Sequence, residues 1–427
     1  MIKEIKMIKL FKVLLLGLFI LVFIIDDLVE ASSNPFSQTK FNPNISLISD
    51  FSYFSRNIKN EDYKNLYIPG FTKPLLDNNL LPENGFNLNY VEVDIRSTVD
   101  PYFDFVSVFH IDKESIEIEE AYFQTRSLSF NLKLKGGKFL SSFGRLNSQH
   151  QHFWSFSDAP LIYKSILGEE GINETGLQLT YLAPLPFFLQ LGTELFQGDN
   201  EFNFNRFGFT LNTKQDLTGD DIVIKDTKKP NLFTSFIKAS WDIGNTSILT
   251  GLSYATGDTR INTIEDFNEA FSGKTNLYNF ELTIKHIIDS YRYLQFQGEY
   301  ITRKFSGNRF YYNNNDLVIS DYKKNQSGFY LQAIYKFNQR YRAGFRYDLI
   351  NKNDIFENSI KQDIPSSLYR YSFMIDFLPS EFSYIRLQYN IDRSLFKELN
   401  GGIQREKVNE FMIQFNFSIG AHGAHGF

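Results

Sequence analysis

The sequence predicts an all-β protein: a transmembrane antiparallel β-barrel of about 16 strands, with short periplasmic turns and long extracellular loops. Three observations carry that expectation. The last stretch alternates strictly, with Phe411, Ile413, Phe415, Phe417 and Ile419 on one side and Glu410, Met412, Gln414, Asn416 and Ser418 on the other. Period two gives an extended strand with one fatty and one wet face. The same pattern recurs along the chain, and its connections alternate between short and long. A β-sandwich does not sort its links onto two rims in this way. The third observation is composition. Aromatics reach 17%, with 45 Phe and 24 Tyr against 2 Trp, which suits a lipid face and interfacial girdles.

The other bulk properties exclude whole classes. Cysteine is absent, so disulfides, thiolate metal sites and a lipid-bearing N-terminal Cys are ruled out. The formal charge of -5 argues against a nucleic-acid partner. Lys3, Lys6, Lys9 and Lys12 precede an apolar run from Val13 to Ile25, followed by Val29-Glu30-Ala31. That is the layout of a secretory signal peptide over 1–31. The run is short for a spanning helix, which needs ~20 residues. N-terminal sequencing of the mature protein should therefore begin at Ser32; recovery of intact Met1 from the outer membrane contradicts cleavage. A short periplasmic segment (32–43), the barrel (44–420) and a His-containing periplasmic tail (421–427) complete the expected organisation.

Taken in order, strands are expected near Ile45–Arg56, Phe86–Arg96, Tyr102–Ile111, Ile116–Arg126 and Phe130–Leu140. A long loop over about 141–175 follows, then Gly176–Leu182 and Phe187–Gln197. A polar stretch to Asn231 leads to Leu232–Ile243, Ser247–Thr256, Leu277–Ile288 and Tyr291–Arg303. The rest are Ser327–Phe337, Tyr341–Ile350, Leu368–Leu378, Ser383–Asp392 and Val408–Gly420. Long polar loops are expected at about 257–276, 304–326, 351–367 and 393–407. In Ile116–Arg126 the adjacent Glu119 and Glu120 break the alternation, which suggests a bulge.

Face assignment supports a channel. Tyr369, Tyr371, Phe373, Ile375 and Phe377 oppose Arg370, Ser372 and Asp376. Phe345, Tyr347 and Leu349 oppose Arg342, Arg346 and Asp348; Ile385, Leu387, Tyr389 and Ile391 oppose Arg386, Gln388, Asn390 and Asp392. An Arg or Lys on the lipid face costs about 2–4 kcal/mol at the midplane, so the charged rows face inward. Arg342, Arg346, Asp348, Arg370, Asp376, Arg386 and Asp392 are therefore the expected pore-lining residues. A mixed Arg and Asp interior implies either water inside or a polar network that plugs the lumen.

Histidines supply the one hint of metal chemistry. His150 and His152 lie in the long loop, and His422 and His425 in the tail. At i and i+2 of an extended segment, two imidazoles project to one side as a clamp would. Asp158, Glu169 and Glu170 of the same loop are candidate oxygen ligands. By strand parity the two pairs fall at opposite ends of the barrel. No resident cofactor is implied. No G-x-S-x-G elbow, cysteine nucleophile or phosphate loop is present, so an enzyme is not expected.

The stretch Gly137–Asn147 (GKFLSSFGRLN) with its continuation SQHQHFWSFSDAPL, the run Gly168-Glu169-Glu170-Gly171, and the end Ser418-Ile419-Gly420-Ala421-His422-Gly423-Ala424-His425 resemble a family of porin-like outer-membrane proteins. Its members are labelled zinc-regulated TonB-dependent outer-membrane receptors. The resemblance implies a barrel serving zinc acquisition, with the family's His-rich loop on His150 and His152 and its His-rich end on His422 and His425. TonB dependence fits poorly, because such receptors place a plug domain before a 22-stranded barrel. The expected function is a porin-like channel in the outer membrane of a Gram-negative bacterium, passing small solutes such as zinc or its complexes. Its partners would be outer-membrane lipid, the barrel assembly machinery and the small solute or metal ion. A homotrimer is left open. The rival is a surface ligand-binding or adhesive barrel with a closed lumen.

Overall fold

The computed structural model describes residues 43–71, 82–113, 115–168, 170–399 and 402–420. The expected leader, nearly all of the segment 32–43, and the tail 421–427 with His422 and His425 lie outside them.

Sixteen strands close into one antiparallel barrel. They are β1 (Asn44–Arg56), β2 (Gly85–Thr98), β3 (Phe103–Ile111), β4 (Ile116–Thr125), β5 (Leu132–Leu140), β6 (Asn173–Leu182), β7 (Phe188–Phe196) and β8 (Leu232–Ile243). The second half comprises β9 (Thr246–Thr263), β10 (Glu269–Ile287), β11 (Tyr293–Asn313), β12 (Asp316–Lys336), β13 (Tyr341–Glu357), β14 (Leu368–Ser380), β15 (Ser383–Asp392) and β16 (Val408–Gly420). Each pairs with its sequence neighbour. The barrel closes where β16 pairs with β1, Phe415 opposite Phe51 and Ile413 opposite Tyr53. Closure leaves no edge groups unpaired in hydrocarbon, the condition for spanning a bilayer. The outward row is apolar, with Leu252, Phe296, Leu331, Phe345, Phe373 and Leu387 exposed. The protein is an outer-membrane barrel, held there by this lipid-facing surface.

All sixteen expected strands are present, but five run much further than their alternation in lipid suggested. β13, 17 residues long, continues to Glu357 into the stretch expected as a loop at 351–367. β9 to β12 are 18, 19, 21 and 21 residues long. The stretches expected as loops at 257–276 and 304–326 are their outer halves, joined by tight ends. Asn314-Asn315 turns between β11 and β12 with φ 47 and 71, a left-handed pair that asparagine tolerates. Above the membrane the outer face meets water and becomes polar, so no apolar row advertises the strand. The inner face still packs, through Ile261, Phe271, Phe305, Tyr322 and Ile355.

Two local features concern β4 and β5. Phe130 does not begin a strand: it sits in a turn with φ 63, largely exposed, and β5 starts at Leu132. The suspected bulge is real. Glu120 pairs with Val108 and Ile118 with Phe109, leaving Glu119 as the extra residue.

Candidate functional site

The loop between β5 and β6, residues 141–172, folds into the barrel rather than away from it. Its apolar residues make a core with the inner wall. Phe143, Leu146, Trp154 and Ile162 belong to one buried cluster with Ala255, Leu277, Ile301, Ile350 and Leu368 of the strands. The helix Leu161–Leu167 buries every residue except Lys164. Burial of this much apolar surface drives the loop inward.

Carboxylates of the wall then catch the backbone of the loop. Glu194 accepts the amide of Ser142 at 2.9 Å and Asp348 that of Leu161 at 2.9 Å. Glu299 takes Arg145 and Leu146 with its two oxygens, at 3.2 and 2.8 Å. Hydrogen bonds to charged acceptors contribute about 1.5–3 kcal/mol each. The loop is thus held by three carboxylates around the wall, without a strand pairing.

A fourth anchor is ionic. Asp158 Oδ1 lies 3.0 Å from Arg346 Nη2, and its Oδ2 lies 2.8 Å from Arg370 Nη1. Gln388 donates to Oδ1 at 2.6 Å, and Arg370 also donates to the carbonyl of Ala159 at 2.6 Å. Burial alone would raise the Asp158 carboxyl, but Arg370 and Arg346 outweigh it and hold the group well below the usual carboxylate range. Asp158 is therefore an anchor between two guanidinium groups, and both oxygens are occupied. The expectation that it completes a metal shell around the histidines is not met.

Of the residues expected to line a pore, Arg346, Asp348 and Arg370 meet the loop, and the rest are engaged elsewhere. Arg346 bonds Asp348 at 3.0 Å, Arg386 bonds Asp376 at 2.9 Å, and Arg342 bonds Asp376 at 2.7 Å. Asp392 accepts the amide and hydroxyl of Ser394 at 2.7 and 2.6 Å. Arg346, Asp348, Asp376 and Arg386 are at most 1% exposed. These charges are buried and paired with one another, as in a polar network.

His150 and His152 come together at a different part of the wall. The segment is not extended: Gln151–Phe153 is a single 3₁₀ turn. The two rings nonetheless stack, with centroids 5.7 Å apart. His150 Nε2 is 2.9 Å from Glu120 Oε2, and its Nδ1 is 3.3 Å from Glu119 Oε1 and 3.7 Å from Glu92 Oε2. His152 Nδ1 lies 3.2 Å from the same Glu92 oxygen. The bulge explains the convergence, since it brings two consecutive glutamates of β4 within reach of one ring. Burial works against protonation of His150, but Glu119, Glu120 and Glu92 overcome it and push its pKa well above the ordinary value. One atom each of Glu92, Glu119 and His150 lie within 4.8 Å of one another. Glu119 Oε2 has no hydrogen-bond partner among the described residues. Glu170 is exposed beyond the end of the helix, and Glu169 lies outside the described residues. Sequence reasoning thus found the histidines and missed their partners. The signal was there: Glu92 and Glu120 are inward-facing carboxylates on strands bathed by lipid outside.

No family model matches the chain. Among solved structures, the anion-selective porin of Comamonas acidovorans superimposes with a TM-score of 0.50 at 10% identity, covering 88% of this chain and 99% of that one. The trimer form of OmpT, an outer membrane protein of Vibrio cholerae, gives 0.49 at 10% identity, covering 88% and 100%. The first shares the barrel fold. An uncharacterized protein of Aquifex aeolicus (strain VF5) is 47% identical over 399 residues, covering 92% of this chain and 82% of that protein. None of the three is described as a zinc or TonB-dependent receptor. The chain belongs to the family of this Aquifex aeolicus protein, as an outer-membrane barrel of porin-like fold.

Proposed function

We propose that the protein is an outer-membrane channel for small solutes, shut by its own 141–172 loop. The observation that carries this reading is how the loop is held. Besides its apolar core with the inner wall, it meets the wall through ion pairs and amide–carboxylate bonds, polar contacts that water and mobile ions can replace. The porin-like fold supports the same reading. The test is planar-bilayer recording of the purified barrel, with brief openings from a low baseline as the expected result. A barrel that stays silent even after its ionic anchor is removed is instead a surface-binding barrel with a closed lumen.

We further propose that a divalent metal, zinc foremost, binds where Glu92, Glu119 and His150 converge. One imidazole nitrogen and two carboxylates make a suitable zinc donor set with an open fourth position, as a transfer site needs. Glu120 is placed to orient the other ring nitrogen of His150. His152 stacks behind that ring. Equilibrium dialysis against zinc should show one ion retained per chain. Affinity should fall at least about tenfold in Glu92→Gln and in His150→Ala, the scale on which lost ligands and their orienting partners act. Unchanged retention in both variants removes this corner as the site.

A further inference from the structure

A second polar site lies among the long outer strands and takes no part in anchoring the loop. A small cavity there, in which the centre of a water-sized sphere can range over about 10 Å³, is lined by Asn203, Thr259, Phe271, Thr275, Arg303 and Lys324, among others. On the outside of the barrel at this level Lys323 pairs with Asp321 at 3.1 Å, both half-exposed. This part of the wall is therefore bathed by water rather than lipid.

Its two cations lack a counter-ion among the described residues. Arg303 is 3% exposed and Lys324 6%. Arg303 donates from Nε to Gln326 Oε1 at 2.9 Å and from Nη1 to Asn203 Oδ1 at 3.3 Å, both neutral amides. The ammonium of Lys324 meets aromatic faces, 4.4 Å from the Phe271 centroid and 5.5 Å from that of Tyr322. It makes no hydrogen bond and no ion pair with any described residue. The nearby acids Glu269 and Glu357 are both engaged by Arg309. The hydroxyls of Thr259 and Thr275 bond each other at 2.7 Å, and Thr259 also donates to the carbonyl of Asn203.

We propose that this cavity is an anion site, holding one small monovalent anion of about chloride's size between Arg303 and Lys324. A buried charge is costly unless it is paired, and two like charges beside each other compound the cost. Ring faces and amides relieve only part of it. An anion seated between the two neutralises both. The cavity is too small for a phosphate. The assignment stands apart from the channel and zinc readings, since neither Arg303 nor Lys324 touches the 141–172 loop's anchors.

The test is thermal unfolding of the full chain in detergent at equal ionic strength in sodium chloride, bromide, phosphate or gluconate. A ligand that binds only the folded state raises its midpoint by mass action. Chloride and bromide should raise the midpoint by several degrees over gluconate and phosphate. Lys324→Met and Arg303→Gln should each abolish the difference. Equal midpoints in chloride and gluconate for the wild type overturn the proposal. So does a full salt difference retained in either variant. Should the variants fail to fold, anomalous scattering from wild-type crystals grown in bromide decides: a peak between the two side chains supports the site, and its absence removes it.

Discussion

Asp158→Asn should turn the shut barrel into a conducting one. Asp158 is the only described acid that reaches both Arg346 and Arg370 from the loop, at 3.0 and 2.8 Å. The substitution keeps shape but removes the charge, leaving two buried guanidinium groups to share Asp348 of the wall, which lies 3.0 Å from Arg346 and 3.5 Å from Arg370. Breaking a buried pair costs about 3–5 kcal/mol. At ~1.4 kcal/mol per tenfold, that moves a shut-to-open balance by about two to three orders of magnitude. The wall itself is untouched, because the strands keep their ladders and Arg386 keeps Asp376. The expected record is therefore a rise in mean current of at least about tenfold, from protein that still migrates as a folded barrel. Correctly inserted Asp158→Asn protein that conducts no better than the wild type would show that the ionic anchor does not gate the lumen.

The fold was legible because lipid imposes a strict rule. Where a strand crosses hydrocarbon its outward row must be apolar, so Phe373, Ile375 and Leu387 mark both the strand and its facing, and the charged Arg370, Asp376 and Arg386 must point inward. The same rule fails outside the membrane. The outer halves of β9 to β12 are polar on one side and mixed on the other, so Lys304 to Gln326 looks like loop although it is ladder on both sides of the Asn314-Asn315 turn. Inside, the limit was different. The sequence shows that His150, His152 and Asp158 share a loop, but the direction that loop takes depends on contacts with strands more than a hundred residues away. Phe143 and Trp154 are as compatible with an exposed loop as with a buried one until Ile301, Ile350 and Leu368 are placed opposite them. Asp158 and the histidines look interchangeable as ligands in one dimension. In space one faces two arginines and the others face three glutamates. The bulge at Glu119 was visible as a broken alternation, and its consequence, two acids reaching one imidazole, required the fold.

Phe415→Arg should block insertion of the barrel, and the position of Phe415 shows why. It lies near the middle of β16, on the outward row with Phe411 and Phe417, opposite Phe51 of β1 on one side and Ile385 of β15 on the other. Its ring stacks on Phe51 with centroids 4.7 Å apart and planes 7° from parallel. The substitution loses a stacked pair, about 0.5–1.5 kcal/mol, and puts a cation toward lipid, about 2–4 kcal/mol at the midplane. Any failure at this seam is amplified, because β1 and β16 are the ends of the sheet and an open seam leaves two rows of backbone groups unpaired in hydrocarbon. Phe415→Leu separates the two terms: it removes the ring and keeps the face apolar, and it should insert normally with a modestly lower resistance to urea. Outer-membrane fractions should then contain folded, heat-modifiable Leu variant and little or none of the Arg variant. Equal amounts of both, with equal resistance to urea, would place Phe415 away from lipid and contradict the outward facing of the closing strand.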